Sequence, residues 1–314
     1  MELKRNNFFK SVWKFSRPHT IIGSIISISI LFLLVFKFEE ALHSNSIIFY
    51  LQTLFACLAC NLFITGINQV YDRDIDALNK PNLPLITGDL TLKQGKIISF
   101  FGLFMALIIS FFLSFYFGCL IFTILLLGAA YSIPPIRFKR FHFWAAMAIS
   151  LVRGPLVNVG VALHFIQFKE GQFIVEFWML PLTVFMTCFS LGIAWFKDLP
   201  DTEGDLKYNI RTVAVRFSRK TAMNLGTTTV GAGYLFLIFW GILNYLNNDI
   251  YTQTNQAHLP FGLLYFIVFQ IITFVAFVIM ALKTDISNQT SLKNFYKLYW
   301  ILFFLEYFSF LLLN

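Results

Sequence analysis

Charged residues are scarce in this chain of 314 residues, because Asp, Glu, Lys and Arg together make up only 13% of it. Hydrophobic residues account for 58% and aromatic residues for 18%. A soluble protein needs a charged surface, so this composition excludes an ordinary soluble domain. Repeated apolar runs that are long enough to cross a bilayer indicate an all-α, polytopic membrane protein instead.

Cysteine and metal-binding histidine patterns are also nearly absent. All four cysteines lie in apolar runs, where cysteine behaves as a small core residue. Cys57 and Cys60 form a CxxC, but no second pair or neighbouring histidine supports a metal site there. The five histidines are scattered, so zinc and non-haem iron are not indicated, and a GxxxxGK[ST] nucleotide loop is missing. The basic N-terminal residues lack a small-residue cleavage pattern, so we expect no removable signal peptide.

The apolar runs predict nine transmembrane helices, with only residues 114–118 between the third and the fourth. If the N-terminus is cytoplasmic, 21 of the 24 Lys and Arg residues lie in segments on the inside. This asymmetry supports both the span count and the orientation, in what we expect to be a bacterial inner membrane. The net charge of +8 then reflects topology, and no nucleic-acid partner is expected. The approximate spans are 20–37, 47–71, 96–113, 116–132, 142–164, 174–196, 221–246, 260–282 and 295–313.

A first polar group, Asn68xxxAsp72xxxAsp76, lies at the end of the second span. Residues four apart on a helix lie on nearly the same face, so these three side chains are expected to form one stripe. Asp74 is expected to point away from it. Three oxygen-bearing side chains on one face at membrane depth are costly unless something cationic neutralises them.

A second acidic group, residues 197–205, ends the sixth span. Asp198, Asp201 and Asp205 are three and four residues apart and can share a helical face, whereas Glu203 is expected to point away. A proline and a glycine within the group argue against a regular helix. Both acidic groups fall on the predicted cytoplasmic side. Each ends a span that runs from outside to inside, the second and the sixth, and this repetition suggests an internal repeat of four helices. A solvated acidic loop is the alternative interpretation.

Clustered carboxylates with an Asn amide are hard oxygen ligands, which favours Mg²⁺ shared with substrate phosphates. Basic residues in the neighbouring loops either bind a diphosphate or serve only as topogenic charge. We therefore predict a Mg²⁺-dependent enzyme that handles a diphosphate inside the bilayer. The basic residues concerned are Lys80, Arg137, Lys139, Arg140, Lys197, Lys207 and Arg211.

The sequence resembles the UbiA superfamily of intramembrane prenyltransferases at several motifs. Asn68xxxAsp72xxxAsp76 and Asp201xxxAsp205 look like its two aspartate-rich motifs, and residues 131–140 resemble the Tyr…Lys/Arg loop after its fourth helix. Longer strings are most similar to homogentisate phytyltransferases of the cyanobacterial and plastid type, and the similarity covers nearly the whole chain. These strings are 15–23, 68–84, 197–205 and 304–307.

This resemblance implies a single domain over residues 1–314, with nine transmembrane helices around a central cavity. It implies transfer of a phytyl or geranylgeranyl group from its diphosphate to homogentisate, with loss of diphosphate and CO₂. The product lies on the route to tocopherols or related prenylquinones. The expected partners are these small molecules and the lipid bilayer, and no protein partner is predicted.

The resemblance and the chemistry of the side chains assign roles to individual residues. Lys139, Arg140 and Arg211 are expected to bind the diphosphate, with Tyr131 in the adjoining loop motif. The aspartates expected to be central to catalysis are Asp72, Asp76, Asp201 and Asp205. The expected Mg²⁺ ligands are Asn68, Asp72, Asp76, Asp198, Asp201 and Asp205.

Two polar residues within the fifth span are candidates for binding the aromatic substrate. Arg153 is either an anchor for the carboxylate of homogentisate or an arginine that snorkels to the interface. Asn158 is expected to hydrogen-bond either a ring hydroxyl or only a neighbouring helix. Glu306 also lies within a span and has no predicted role.

Several alternatives remain open from the sequence. The acceptor or prenyl chain could be that of a chlorophyll synthase, a solanesyltransferase or a 4-hydroxybenzoate prenyltransferase. In a different class, an ion-coupled transporter or channel uses intramembrane acids to coordinate the ion. A non-catalytic quinone-binding subunit is a third class, although it has little use for two aspartate groups. Both acidic groups lie at one membrane face rather than at the midplane, which argues against transport.

Overall fold

The computed structural model describes residues 8–41, 43–247 and 259–313, and within these ranges it contains no β-strand. The predicted all-α class is therefore confirmed for the described residues. A π-helix, Val152–Val161, connects α8 to α9. The α-helices are α1 (Phe8–Phe15), α2 (Pro18–Ala41), α3 (Ser44–Tyr71), α4 (Arg73–Asn79), α5 (Pro84–Thr87), α6 (Leu92–Leu113), α7 (Phe115–Ser132), α8 (His142–Leu151), α9 (Ala162–Glu170), α10 (Met179–Phe196), α11 (Thr202–Lys207), α12 (Val213–Arg216), α13 (Arg219–Leu246), α14 (Leu259–Leu282) and α15 (Gln289–Ser309).

Nine helices of the described residues are long and apolar enough to cross a membrane, as the sequence predicts. They are α2, α3, α6, α7, the continuous helix from α8 to α9, α10, α13, α14 and α15. The third span begins at Leu92 rather than at residue 96, because Thr91 starts the helix with a capping box. Its side chain accepts from the Gln94 backbone N–H, and the Gln94 side chain accepts from the Thr91 backbone. A polar cap of this kind lies outside any apolar window.

The third and fourth spans are separated by one residue, and the predicted separation over 114–118 is therefore too long. Ser114 has an extended backbone, with φ −165° and ψ 153°, between the end of α6 and the start of α7. Its hydroxyl accepts a hydrogen bond from the Phe117 N–H, which caps α7. Gly118 lies inside α7, so it does not mark the turn.

The spans form a closed ring in chain order. Each of α2, α3, α6, α7, the π-helix, α10, α13, α14 and α15 packs against the next one, and α15 packs against α2. The contact between α15 and α2 joins the last span of the ring to the first and closes it. The ring encloses the side chains that face inward from all nine spans, which is the arrangement needed to build a site between helices.

One end of this ring is closed by contacts between α2 and α9. The Lys169 ammonium group lies 2.6 Å from a Glu40 carboxylate oxygen and donates to the Val35 carbonyl oxygen at 3.1 Å. Just inside, the Phe165 ring packs edge-on against Phe32, with 5.5 Å between the ring centroids. The opposite end carries both acidic groups.

Candidate active site

The first acidic group begins where α3 ends. Asp72 interrupts the helix, with φ −102° and ψ 9°, and α4 follows directly. Backbone hydrogen bonds from Asp72 to Asn68 (2.9 Å) and from Asp76 to Asp72 (2.7 Å) keep the four-residue spacing through the break. The polar stripe is therefore preserved, and Asp72 and Asp76 are each only 3% exposed. Asp74 is exposed and lies off this face, as predicted.

Asp72 is the most heavily paired carboxylate in the site. It accepts from Arg137 Nη2 at 3.0 Å, from Lys139 Nζ at 2.5 Å and from Asn68 Nδ2 at 2.7 Å. Burial alone would raise the pKa of Asp72, but Lys139 and Arg137 hold it below its ordinary value. Asp72 is therefore ionised at neutral pH and connects the end of α3 to the loop that follows α7.

Asp76 is paired more loosely. Its nearest cations are Lys80 Nζ at 3.6 Å and Arg17 Nη2 at 3.7 Å, both outside hydrogen-bond distance. Asp76 Oδ2 is buried and has no hydrogen-bond partner among the described residues. Burial raises the pKa of Asp76 despite these two cations. Its buried oxygen is available to a further cationic partner.

The second acidic group folds into a turn and a short helix. α10 ends at Phe196, and α11 begins directly after Asp201. The expectation that no regular helix forms here is wrong for residues 202–207, because Pro200 precedes the helix and Gly204 lies within it. Glu203 is exposed on the outer face of α11, as predicted.

Gly204 allows α11 to approach α4 closely. A Cβ atom at this position would lie 2.3 Å from the Asn79 side-chain oxygen, well inside contact distance. Glycine therefore leaves room for the Asn79 side chain where the two acidic segments meet. Lys80 connects the same segments electrostatically, with Nζ 2.5 Å from Asp201 Oδ2 and 3.6 Å from Asp76 Oδ1. The fold thus brings the two acidic groups together, although they are far apart in sequence.

Two further carboxylates of the second group are buried. Asp198 Oδ1 lies 3.3 Å from Lys197 Nζ. Asp205 has neither an ion pair nor a side-chain hydrogen bond with any residue that the structure describes. Burial, together with the negative charges of Asp198 and Asp201, raises the pKa of Asp205 to about 7.

Tyr131 lies beside this second group, at the end of α7. Lys197 Nζ donates to the Tyr131 hydroxyl oxygen at 2.7 Å and lies 5.4 Å from the centre of the Tyr131 ring. Lys197 therefore connects the loop after α10 to both Tyr131 and Asp198. The predicted neighbourhood of Tyr131, Lys139 and the aspartates is present in the fold.

Arg140 and Arg211 are neighbours, but their side chains do not contact the two acidic groups. The Arg211 backbone N–H donates to the Arg140 carbonyl oxygen at 3.0 Å, and the His142 N–H donates to the Arg211 carbonyl oxygen at 3.2 Å. Both arginine side chains are exposed and form no ion pair with the described carboxylates. Their contact with a diphosphate stays a prediction.

Arg153 and Asn158 lie in the π-helix, deeper in the ring. Asn158 is fully buried, and its amide donates to the carbonyl oxygens of Arg153 and Gly154, both at 2.8 Å. Its side-chain oxygen accepts from the Tyr307 hydroxyl at 2.8 Å. These contacts support the unusual helix and match the helix-contact alternative, so a hydrogen bond to a substrate hydroxyl stays a prediction. The Arg153 guanidinium packs on the Trp300 ring, 5.0 Å from its centroid.

Two residues that contact the predicted site residues have no role in the sequence analysis. Arg17 has a left-handed backbone (φ 54°) just before α2 and lies beside Asp76. Trp300 lies under Arg153 in the middle of α15. The Ser-Arg-Pro-His string around Arg17 is a usable sequence signal, whereas nothing in the aromatic-rich α15 distinguishes Trp300 from its neighbours.

The donor chemistry of the acidic groups fits Mg²⁺. Every candidate ligand offers a carboxylate or amide oxygen, and the oxygen of Asp76 and the carboxylate of Asp205 still have bonding capacity. The nearby Lys and Arg side chains are suitable partners for phosphate oxygens. Within the described ranges, no three His, Cys, Asp or Glu side chains already converge as a metal site. The ligand assignment therefore stays a prediction.

Comparison with known proteins matches this arrangement of helices and charges. The model of the UbiA prenyltransferase family matches residues 28–305. The homogentisate phytyltransferase of Synechocystis sp. is 34% identical over 307 residues, covering 95% of this chain and 93% of that protein. The homogentisate geranylgeranyltransferase of Triticum aestivum is 33% identical over 308 residues, covering 95% of this chain and 71% of that protein.

The fold also has counterparts among solved structures. A UbiA homologue from Archaeoglobus fulgidus, solved with GPP and Mg²⁺ bound, superimposes with a TM-score of 0.65 at 15% identity. The match covers 95% of this chain and 98% of that chain. At this level of identity the similarity shows a shared fold.

Proposed function

Because the chain belongs to the UbiA prenyltransferase family, we propose that it transfers a phytyl or geranylgeranyl group from its diphosphate to homogentisate. The chain is an integral, multi-pass membrane prenyltransferase. The choice of homogentisate is supported by relatives that are named for this acceptor and match along 95% of the chain. The product is a methyl-prenyl-benzoquinol of tocopherol or prenylquinone biosynthesis.

The reaction replaces an allylic carbon–oxygen bond by a carbon–carbon bond, and the prenylated intermediate then loses CO₂. The allylic carbon–oxygen bond of the prenyl diphosphate breaks, its electron pair leaves with the diphosphate, and a ring carbon of homogentisate bonds to the allylic carbon. The ring proton is released. Decarboxylation of the side chain then leaves a methyl group, which takes up one proton, so the proton count balances. The enzyme must therefore stabilise the leaving diphosphate and keep water from the allylic cation.

We propose that both acidic groups hold Mg²⁺ at the mouth of the ring. When bound, the metal would supply the positive charge that stabilises the departing diphosphate. The chemistry of the oxygen donors and the close packing of α4 on α11 support this assignment. The proposed ligands are Asn68, Asp72, Asp76, Asp198, Asp201 and Asp205.

The basic residues of the site would bind the diphosphate oxygens. Lys139 and Arg137, which pair with Asp72, and Lys197, which pairs with Asp198, are held beside the proposed metal ligands. Each can exchange a carboxylate contact for a phosphate contact, since both are charge-assisted hydrogen bonds of similar geometry. The exposed Arg140 and Arg211 would reach the outer phosphate.

The interior of the ring would keep the allylic cation away from water. The end opposite the acidic groups is closed by the contacts between α2 and α9, and aromatic rings pack just inside it. Aromatic faces also stabilise nearby positive charge. The prenyl tail would lie among the spans, and the carboxylate of homogentisate would bind Arg153, the arginine within the fifth span.

The observation that carries the proposal is the meeting of two acidic groups with several basic side chains at one end of a helix ring. An ion-coupled transporter places its coordinating acids near the midplane, where they become accessible from each side in turn. Here both groups lie at the same end, and the other end is closed. We place this acidic end, with the N-terminus, on the cytoplasmic side of a bacterial inner membrane.

The direct test uses protein in lipid nanodiscs with Mg²⁺, carboxyl-labelled homogentisate, and phytyl or geranylgeranyl diphosphate. We expect a methyl-prenyl-benzoquinol by mass spectrometry, release of labelled CO₂, and loss of both signals with EDTA. A parallel series tests 4-hydroxybenzoate and solanesyl diphosphate. Product from another acceptor alone overturns the homogentisate assignment. Absence of product from every pair, with ion uptake in liposomes, overturns the enzymatic proposal.

The role of Arg153 has its own test in the same assay. Arg153→Ala should raise the KM for homogentisate about tenfold or more, because a charge-assisted hydrogen bond is lost. The KM for the prenyl diphosphate should stay within about twofold. An unchanged KM for homogentisate would show that Arg153 only packs against neighbouring side chains and does not bind the acceptor.

A further inference from the structure

Arg153 is a cation with unmatched donors inside a membrane span. Its guanidinium carbon lies 5.0 Å from the centroid of the Trp300 ring and 5.9 Å from that of Phe303. Among the described residues the guanidinium has no ion pair and no hydrogen bond to an oxygen. Aromatic faces stabilise the charge but leave the N–H groups of the guanidinium plane without acceptors. A partly exposed arginine of this kind indicates a ligand that carries oxygens.

Trp300 carries a second unmatched donor at the same place. The residue is 5% exposed, and its indole Nε1 has no hydrogen-bond partner among the residues that the structure describes. The hydroxyl of Tyr296, one turn earlier on α15, is nearby but does not meet hydrogen-bond geometry. Buried indole N–H groups normally have an acceptor. Two touching donor groups without acceptors indicate that a bound molecule supplies the acceptor.

A chain of contacts connects the two donors to the acidic end. His19, in the first turn of α2, packs edge-on against Trp300 with 5.1 Å between the ring centroids. The His19 side chain is exposed although its ring lies against the buried Trp300. Arg17, two residues earlier, lies 3.7 Å from Asp76. Contacts through Trp300 and His19 therefore lead from Arg153 towards the acidic groups, and we call the region that His19, Trp300 and Arg153 border the recess.

Gly23 fixes the depth of Trp300 in this recess. A Cβ atom at Gly23 would lie 3.3 Å from the indole ring, so the glycine lets Trp300 pack closely against α2. Close packing of this kind limits the rotation of the indole ring. Trp300 therefore presents its donor in a fixed position relative to Arg153, as binding a planar group requires.

We propose that Arg153 and Trp300 together bind the carboxylate of the aromatic acceptor, one oxygen on the guanidinium and one on the indole N–H. This inference rests on the proposed function for the identity of the acceptor. A carboxylate offers two oxygens in one plane, which matches two donor groups that touch. The recess therefore selects small aromatic acids over quinols or phenols without a carboxylate, and Trp300 is a specificity-determining residue.

The test measures binding of phenylacetate, which has the carboxylate but no ring hydroxyls, to the full-length protein with Mg²⁺. Trp300→Phe keeps an aromatic ring under Arg153 and removes the N–H, and we expect it to weaken binding about tenfold. Tyr296→Phe is the matched control and should stay within about twofold. Calorimetry gives the affinities, and a thermal melt of each variant shows that it is folded.

Each result decides the question. Wild-type affinity in Trp300→Phe overturns the inference, and so does an equal loss in Tyr296→Phe, because the indole would then be bonded to that hydroxyl. If Trp300→Phe does not fold, Arg153→Lys takes its place, with about tenfold weaker binding in support and unchanged binding against. Phenylacetate binding without prenylation of homogentisate refutes the proposed function alone. Prenylation without phenylacetate binding refutes the recess alone.

Discussion

Lys80 forms an ion pair with Asp201, 121 residues further along the chain, with 2.5 Å between Nζ and Oδ2. The same ammonium group lies 3.6 Å from Asp76. One flexible cation thus connects the two acidic groups. Asp201 and Asp76 raise the pKa of Lys80 against the opposing effect of burial, so it is charged at neutral pH.

Lys80→Met should make the protein more dependent on Mg²⁺ for stability. Without the ammonium group, Asp76 and Asp201 lose a shared partner, and a partly exposed pair of this kind contributes about 1 kcal/mol or less. We expect a melting temperature lower by about 2–4 °C in EDTA. Added Mg²⁺ should raise the melting temperature more in the variant than in the wild type. Lys93→Met, at an exposed position on α6, is the control, and equal Mg²⁺ responses would count against the prediction.

Alanine substitutions should separate the buried aspartates from the exposed acids beside them. Asp72→Ala and Asp205→Ala remove proposed metal ligands, and each should lower kcat more than about 100-fold while the protein still inserts in the membrane. Asp74→Ala and Glu203→Ala change exposed acids two residues away and should keep nearly full activity. Turnover near the wild-type value in Asp72→Ala or Asp205→Ala would refute the metal assignment.

Gly204→Ala should push α11 away from α4. The new methyl group would lie 2.3 Å from the Asn79 oxygen, and overpacking of this kind costs about 1–3 kcal/mol. We expect weaker Mg²⁺ binding by about tenfold and a lower melting temperature. Truncating the obstacle in the double variant Asn79→Ala with Gly204→Ala should restore most of both. If the double variant is as impaired as the single one, the close contact is not the cause.

Glu306 should be replaceable by glutamine but not by alanine. The side chain is fully buried, and its Oε1 accepts from the Tyr234 hydroxyl at 2.9 Å. Glutamine keeps that acceptor, so Glu306→Gln should melt within about 2 °C of the wild type. Glu306→Ala leaves the hydroxyl unpaired, which costs about 1–3 kcal/mol besides the cavity it creates. Loss of the fold in Glu306→Gln would show that an ionised carboxylate is needed there.

Sequence reasoning succeeded where a local pattern determines the structure. Apolar length gave the nine spans, and the four-residue spacing placed Asp72 and Asp76 on one face and Asp74 off it. Both signals come from the geometry of a single helix. Asp72 and Asp76 share a face despite the helix break at Asp72, because the backbone hydrogen bonds keep their four-residue register through it.

Contacts between segments that are distant in sequence could not be predicted from these local patterns. The bridge from Lys80 to Asp201 and the pair of Lys197 and Tyr131 depend on which helices become neighbours in the ring. The separation predicted over 114–118 is too long, because the turn consists of Ser114 alone. Its hydroxyl caps the next helix, and the apolar run continues on both sides without a visible break. The periodicity of hydrophobic residues does not predict which helices pack against each other.

The contact between α2 and α15 also governs how the protein is made. α2 leaves the ribosome before the other spans and α15 after them, so the seam that closes the ring joins the earliest and latest helices to be inserted. Until α15 arrives, the face of α2 around His19 and Gly23 has no partner from Trp300. The recess that we propose for the acceptor therefore cannot form until α15 has been inserted, because Trp300 lies on this helix.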